Sequence, residues 1–217
     1  MDDKKGGTLS FPLCLLRVTG YNFVMEVLRL NGPSAQNYLQ QLAELRLTVF
    51  WEYPYLYEGD IEYEKRYLST YFKCPDSFIL LLKDKDKIVG ATTAIVAEAE
   101  EENFRQAFLS KGLKPSEGVY FGESVLLAEY RGKGWGKLFF QEREKFARDL
   151  GRNWVSFCSV VRQNHPLEPV GYQGHGNMWK HLGYEVMEGM TTYYEWKDRD
   201  QADSTKKLMQ YWFKNLS

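Results

Sequence analysis

Several residue types that mark familiar protein classes are scarce in this 217-residue chain. There are three cysteines, Cys14, Cys74 and Cys158, odd in number, far apart and without a CxxC pair. Nothing there suggests a disulfide framework, a redox pair or a thiolate zinc site, and a reducing compartment fits best. The three histidines, His165, His175 and His181, form no HxxxH pair, and no carboxylate or thiol cluster in the sequence completes a ligand shell, so no metal is expected. Charge of one sign is not in excess: 28 basic and 29 acidic residues leave a net charge of -1. No global field draws nucleic acid or anionic lipid, and any anion site must be local. No apolar run reaches the length of a membrane span. The start, "MDDKKGGTLSFPLCLLRV", places lysines before a short apolar run, but its acidic pair and closing arginine argue against a secretory signal, and a cytoplasmic protein is expected. Repeats, low-complexity tracts and Pro/Gly-rich linkers are also missing.

What is present is a composition 44% hydrophobic and 16% aromatic, enough for one compact core. A single domain is expected over residues 25–217. Residues 1–24 read as a flexible extension, because "MEVLRL" from Met25 is strand-like and would serve as a chain start. "NFVMEVLRL" reads as a strand, and Ser34 can cap a helix carrying Tyr38, Leu42, Leu45 and Val49. Pro54 interrupts it within "FWEYPYLYEGD", and a second helix is expected from Asp60 to Phe72. "FILLLK" and "IVGATTAIVA" form a hairpin across "DKDK". An acidic helical insert follows, then the strand "GVYFGESVLL", a glycine loop, and the amphipathic helix "GKLFFQEREKFARDLG" ended by Gly151. "NWVSFCSVV" is a further strand, "GNMWKHLG" a short helix, and "YEVMEGMTTYYEW" a hairpin split at Gly189. The tail from Ser204 spaces Leu208, Trp212 and Leu216 for one helix face. This order predicts an α+β fold with a mixed, mainly antiparallel sheet flanked by helices, not a doubly wound Rossmann sheet.

The stretch "EYRGKGWGKLFF" carries the clearest chemistry. A nucleotide P-loop needs Ser or Thr after its lysine, where Leu138 stands. A dinucleotide fingerprint needs GxGxxG, whereas the glycines here are Gly132, Gly134 and Gly136, and no acidic residue follows at the ribose-binding distance. What remains is a run of unhindered peptide N–H groups at a helix start, able to nest a phosphate, with Arg131, Lys133 and Lys137 adding positive charge. A basic turn that binds nothing is the alternative for the loop taken alone.

In its setting the stretch resembles motif A of the GCN5-related N-acetyltransferase superfamily, Arg/Gln-x-x-Gly-x-Gly/Ala, met here at Arg131, Gly134 and Gly136. The element order is similar from about residue 25 to 197. The resemblance implies acetyl-CoA as cofactor, with the loop from Arg131 through Gly132, Lys133, Gly134, Trp135 and Gly136 to Lys137 on its diphosphate. Main-chain groups of Val125, Leu126 and Leu127 would lie along its pantetheine arm, with Leu126 or a neighbour facing the oxyanion, and Asn164 would stand near the cofactor. Ala128 replaces a proline common in relatives. The chain also resembles a bacterial branch of unassigned substrate, marked by "LRLTVFWEYPYLYEGD" and "VVRQNHPLEP".

Acetyl transfer to an amine needs a base, an orienting pocket and oxyanion donors. Glu123, in an apolar strand, is the candidate base; a carboxylate satisfied by backbone or arginine is the other reading. Relatives often protonate the departing thiolate with a late tyrosine, but the matching position is Trp179, which lacks a titrating proton. Tyr172 is the substitute acid, or none is used. Trp51, Tyr53, Tyr55, Tyr57 and Glu58 are the candidate wall for a small-molecule amine; aromatics that are core and acids that are surface are the other reading. The expected activity is N-acetyl transfer from acetyl-CoA to such an amine, by a monomer or homodimer with no nucleic-acid or membrane partner. A non-catalytic acyl-CoA-binding sensor is the alternative.

Overall fold

A computed structural model describes residues 16–20 and 23–216, with side chains from residue 25 onward. Most of the expected extension lies outside these residues. Within it, β1 (Leu16–Gly20) pairs antiparallel with β2 (Phe23–Leu30), so part of that segment is a sheet edge. β2 precedes a 3-10 turn, Pro33–Tyr38, and then α1 (Leu39–Phe50). Ser34 does not cap α1; its N–H is instead held by the Asn31 side chain, which shapes the tighter turn before the helix. α2 (Ile61–Lys73) begins where expected, because the Asp60 carboxylate accepts from the N–H groups of Glu62 and Tyr63.

β3 (Ser77–Asp84) and β4 (Lys87–Val96) form the central hairpin and are buried along almost their whole length, in keeping with their unbroken apolar runs. The acidic insert forms α3 (Glu102–Ser110), anchored by the buried Phe104 and Phe108. β5 (Gly118–Leu126) leads through the glycine loop into α4 (Trp135–Asp149), which crosses to β6 (Trp154–Val160) in parallel with β5. Gly151, at φ 65°, takes the left-handed position after α4 that a side chain would strain. A short α5 (Gly176–His181) precedes β7 (Glu185–Lys197) and β8 (Ser204–Asn215). The sheet order is β1-β2-β3-β4-β5-β6-β8-β7, antiparallel except at β5–β6. α1 and α2 pack on one face, while the aromatic row Phe139, Phe140 and Phe146 of α4 meets the other, with Phe121 edge-on to Phe140.

Two expected elements differ. The tail is strand β8, not a helix: Lys207, Met209 and Tyr211 are buried at period two, and the helical spacing of Leu208, Trp212 and Leu216 is incidental to a segment rich in strand-favouring aromatics. "YEVMEGMTTYYEW" is likewise one strand, whose register against β8 slips between Val186 and Thr191 around Gly189 at φ 66°. Its hairpin partner is the tail.

Candidate active site

β5 supplies both halves of the site. It pairs with β6 only at Gly118, Val119 and Tyr120, although both strands continue beyond, so a gap opens between them. On its other side, Leu127 N–H donates to Val89 O (2.9 Å). Bonded pairs alternate in an antiparallel ladder, so with Leu126 opposite Gly90 the main-chain groups of Leu126 point away from β4, toward the gap. The Leu126 carbonyl accepts from Arg131 Nε at 2.9 Å, consistent with that direction. Of the expected trio, Val125 and Leu127 are tied into β4, and Leu126 alone turns its backbone to the open side.

At the end of β5 the loop rises into α4 with Gly132 at φ 72° and Gly134 at φ 88°, conformations that strain any residue with a Cβ. A Cβ at either would meet nothing within 4 Å, so open space and not packing surrounds them. Gly134 is the helix N-cap and offers no side-chain acceptor, leaving the first-turn amides of Trp135, Gly136 and Lys137 free to face an anion. These features fit a diphosphate. Arg131 Nη1 bridges to Glu52 (2.6 Å), and Lys133 Nζ donates to Glu129 O (2.7 Å), holding two cations beside the loop. Asn164 stands exposed at φ 55° in the turn after β6.

A cavity of about 350 Å³ lies between α1, α2 and the gap. Gly122, Glu123, Tyr120 and Cys158 form its strand side, and Tyr55, Tyr57, Tyr63, Tyr67, Tyr194 and Trp196 its aromatic walls. On the inner side, the buried Arg46 contacts Glu64 through Nε and Glu123 through Nη1, the latter at 2.6 Å. Its guanidinium also lies over the Tyr67 and Phe50 rings, 4.4 and 4.9 Å from their centroids. The Tyr57 hydroxyl approaches Glu64 and the Thr93 hydroxyl approaches Glu123, yet Oε1 of each carboxylate is buried with no partner in hydrogen-bond geometry. Burial pushes the Glu123 carboxyl above its ordinary range, with Arg46 pulling the other way. Burial would lower the Arg46 pKa, but Glu123 and Glu64 outweigh it and hold the guanidinium charged. The Cys158 thiol, 3.0 Å from the Tyr120 hydroxyl, is pushed up to about 12 by burial and is a neutral thiol at physiological pH.

The expected acceptor residues divide. Tyr55, Tyr57 and Glu58 line the cavity. Trp51 and Tyr53 do not: Trp51 is exposed under the Arg199 guanidinium, and the Tyr53 hydroxyl lies 3.1 Å from Glu168 Oε2 and 3.2 Å from Arg162 O. Tyr172 meets Tyr53 edge-on at 4.7 Å and is also outside the lining. Trp179 packs edge-on against Phe157 and Trp212, each at 5.0 Å.

Sequence reasoning missed Arg46 and Glu64, although a signal existed. Arg46 falls at helical spacing with Leu42 and Val49, and Glu64 with Ile61, Leu68 and Tyr71, so each is a charge inside an apolar stripe. One of the three histidines gains carboxylate neighbours that its place in the sequence does not show. The fold brings His165, Asp198 and Asp200 within 4.8 Å, from positions too far apart in sequence to read together. Asp198 already pairs with Arg162 through both oxygens (2.7 and 3.0 Å) and with Lys207 (3.3 Å), which makes the group an ion-pair network.

A strand parting from its parallel neighbour, an uncapped helix start framed by left-handed glycines, and a carboxylate-bearing cavity beside the gap define a transferase that grips a diphosphate-bearing donor. The model of the acetyltransferase (GNAT) family matches residues 43–170, and the chain belongs to that family, whose acyl donor is acetyl-CoA. Solved structures share the fold at low identity. YncA from Salmonella typhimurium, solved with its cofactor acetyl-CoA, is 10% identical with a TM-score of 0.55, covering 89% of this chain and 94% of its own. The ribosomal-protein-alanine N-acetyltransferase from Brucella melitensis is 13% identical (TM-score 0.57; 87% and 99% covered). Arabidopsis thaliana NAA60, solved with a bisubstrate analogue, is 13% identical (TM-score 0.57; 88% and 99% covered). Curated proteins compared by sequence give no match. Among the described residues no helix is long and apolar enough to cross a membrane.

Proposed function

We propose that the protein moves an acetyl group from acetyl-CoA to a primary amine of a small molecule, by direct attack within a ternary complex. One observation carries this reading: the cavity holding Glu123 opens on the same gap toward which Leu126 turns its backbone, one strand end away from the diphosphate nest. When bound, acetyl-CoA supplies an activated acyl carbon and a thiolate leaving group. The amides of Trp135, Gly136 and Lys137 hold the diphosphate, with Arg131, Lys133 and Lys137 neutralising it. Leu126 N–H faces the oxygen on which charge develops. Glu123 takes the amine proton on Oε1, directly or through a water, while Arg46 fixes the other oxygen. Cys158, as a neutral thiol, is a poor nucleophile, which favours direct transfer over an acyl-enzyme.

Tyr172 is the proposed proton donor to the thiolate; its hydroxyl pKa is raised by burial and by Glu168, so it carries its proton at neutral pH. A second reading, an acyl-CoA-binding sensor without turnover, is favoured by Trp179, which stands where relatives commonly place a tyrosine. Free Cys74 and Cys158 support a reducing, cytoplasmic setting. Calorimetry with coenzyme A, acetyl-CoA, ATP and NAD tests the donor: heat with the first two alone is expected, and binding of ATP or NAD instead would refute it. Thiol release over a panel of amines tests catalysis, and tight acetyl-CoA binding without release across mono- and diamines would favour the sensor.

A further inference from the structure

The cavity has two acidic tiers joined by aromatic walls. The inner tier is Glu64 and Glu123 around Arg46, a buried group of net charge -1 in which one oxygen of each carboxylate lacks a partner. The outer tier, exposed at the mouth, is Glu58, Asp60 and Glu195 against Lys197, a net charge of -2. Between them run Tyr55, Tyr57, Tyr63, Tyr67, Tyr194 and Trp196, surfaces suited to methylene groups and to the flank of a cation. The two tiers sum to -3 in a chain whose net charge is -1, so the acidity is concentrated at this site. An apolar occupant would leave two buried carboxylate oxygens unmet, a neutral donor would meet them without answering the excess negative charge, and an anionic one would be repelled at both levels.

We infer that the acceptor is a linear aliphatic amine with a second ammonium group, its reacting nitrogen at Glu123 and its distal nitrogen at the acidic mouth. This rests on the cavity being the acceptor site of the proposed transferase. The distal charge is selected by the field of Glu58, Asp60 and Glu195, while the methylene chain lies along the tyrosines. The alkyl length is bounded by the cavity volume of about 350 Å³, which suits a short diamine or the end of a longer polyamine.

The test compares an α,ω-diaminoalkane with the n-alkylamine and the ω-amino acid of the same length, by thiol release and by calorimetry on the coenzyme A-loaded protein. The diamine should show kcat/KM roughly tenfold or more above the alkylamine, with the amino acid lowest, and the ratio should shrink as salt rises. Glu58→Gln with Glu195→Gln, both at the exposed mouth, should bring the diamine-to-alkylamine ratio toward one. An alkylamine or amino acid used as well as the diamine, or a ratio unmoved by salt and by the double variant, overturns the inference and leaves the acetyltransferase reading standing. Diamine binding without thiol release from any amine overturns the transferase reading and, with it, the acceptor role, leaving only a diamine-binding cavity. Absence of diamine binding together with absence of turnover overturns the inference.

Discussion

Replacing Arg46 with methionine is the sharpest perturbation the site allows. Arg46 is buried and joins two buried carboxylates, so its removal strands both. Breaking a buried ion pair by deleting one partner costs about 3–5 kcal/mol. Loss of the guanidinium from over Tyr67 and Phe50 adds about 1 kcal/mol, whereas methionine keeps most of the apolar packing. The expected loss is about 4–6 kcal/mol, a melting-temperature drop on the order of 10–20 °C for a chain of this size. The pH dependence follows from sign. The folded-state pKa of Glu123 is already raised by burial, and losing Arg46 raises it further. A raised folded pKa contributes stability that is complete below the unfolded value and is lost as pH rises through the folded value. The deficit of the variant is therefore largest near neutral pH and narrows on acidification. Urea unfolding of both proteins, followed by tryptophan fluorescence at about pH 8 and about pH 5, reads this directly. Adding Glu123→Gln to Arg46→Met should recover part of the loss at the higher pH. A deficit below about 1 kcal/mol, or one equal at both pH values, would refute the buried-pair reasoning.

Three further outcomes are expected. Gly134→Asp should abolish coenzyme A binding by calorimetry, because it places a side chain and a negative charge in the nest at a left-handed φ of 88°; unchanged affinity would displace the diphosphate from this loop. Glu123→Gln should lower kcat at neutral pH by about 10²–10⁴-fold while sparing coenzyme A affinity, and a wild-type pH–rate profile would remove Glu123 from the base role. Glu100, buried and hydrogen-bonded by Tyr71, has its pKa raised from 4.5 to about 7 by desolvation. It should therefore contribute on the order of 3 kcal/mol of stability in acid that fades between about pH 4.5 and 7, and Glu100→Gln should flatten that slope in urea titrations; a slope that persists would assign it to other groups.

What the sequence made legible was local. The nest needs only successive residues in special conformations, so Gly132, Gly134 and the start of α4 could be read from a dozen letters, as could the start of α2 near Asp60 and the helix stop at the left-handed Gly151. The cavity needs residues from six helices and strands and from the loop after α1. Arg46 meets partners 18 and 77 positions away, and a single chain carries no mark of such pairing beyond a charge in an apolar stripe. The aromatic loop after α1 was half legible for the same reason: Tyr55 and Tyr57 turn inward while Trp51 and Tyr53 turn out, a difference set by Trp196 of β7 and by Arg162 in the loop after β6. The tail was misread because apolar residues four apart fit a helix, while Met209 and Tyr211, at period two, decided the strand.

The reach of Glu123 depends on one extra residue. Thr92 opposes Ser124 and Ala94 opposes Phe121, so a single β4 residue faces both Gly122 and Glu123 across a bulge. Strict alternation would place Glu123 on the same face as Phe121, against Phe140 and the buried Arg143 of α4. The bulge instead brings it beside Tyr120 in the cavity, within reach of Arg46. Thr92 braces it by donating to Glu123 O at 2.7 Å, and Gly122 has no room for a side chain, since a Cβ there would sit 2.5 Å from Thr93 Oγ1 and 2.6 Å from the Tyr71 hydroxyl. Beyond the bulge the ladder resumes in the register that turns Leu126 toward the gap. The placement of the candidate base and of the candidate oxyanion donor thus depends on the same irregularity, which no residue spacing in the sequence marks.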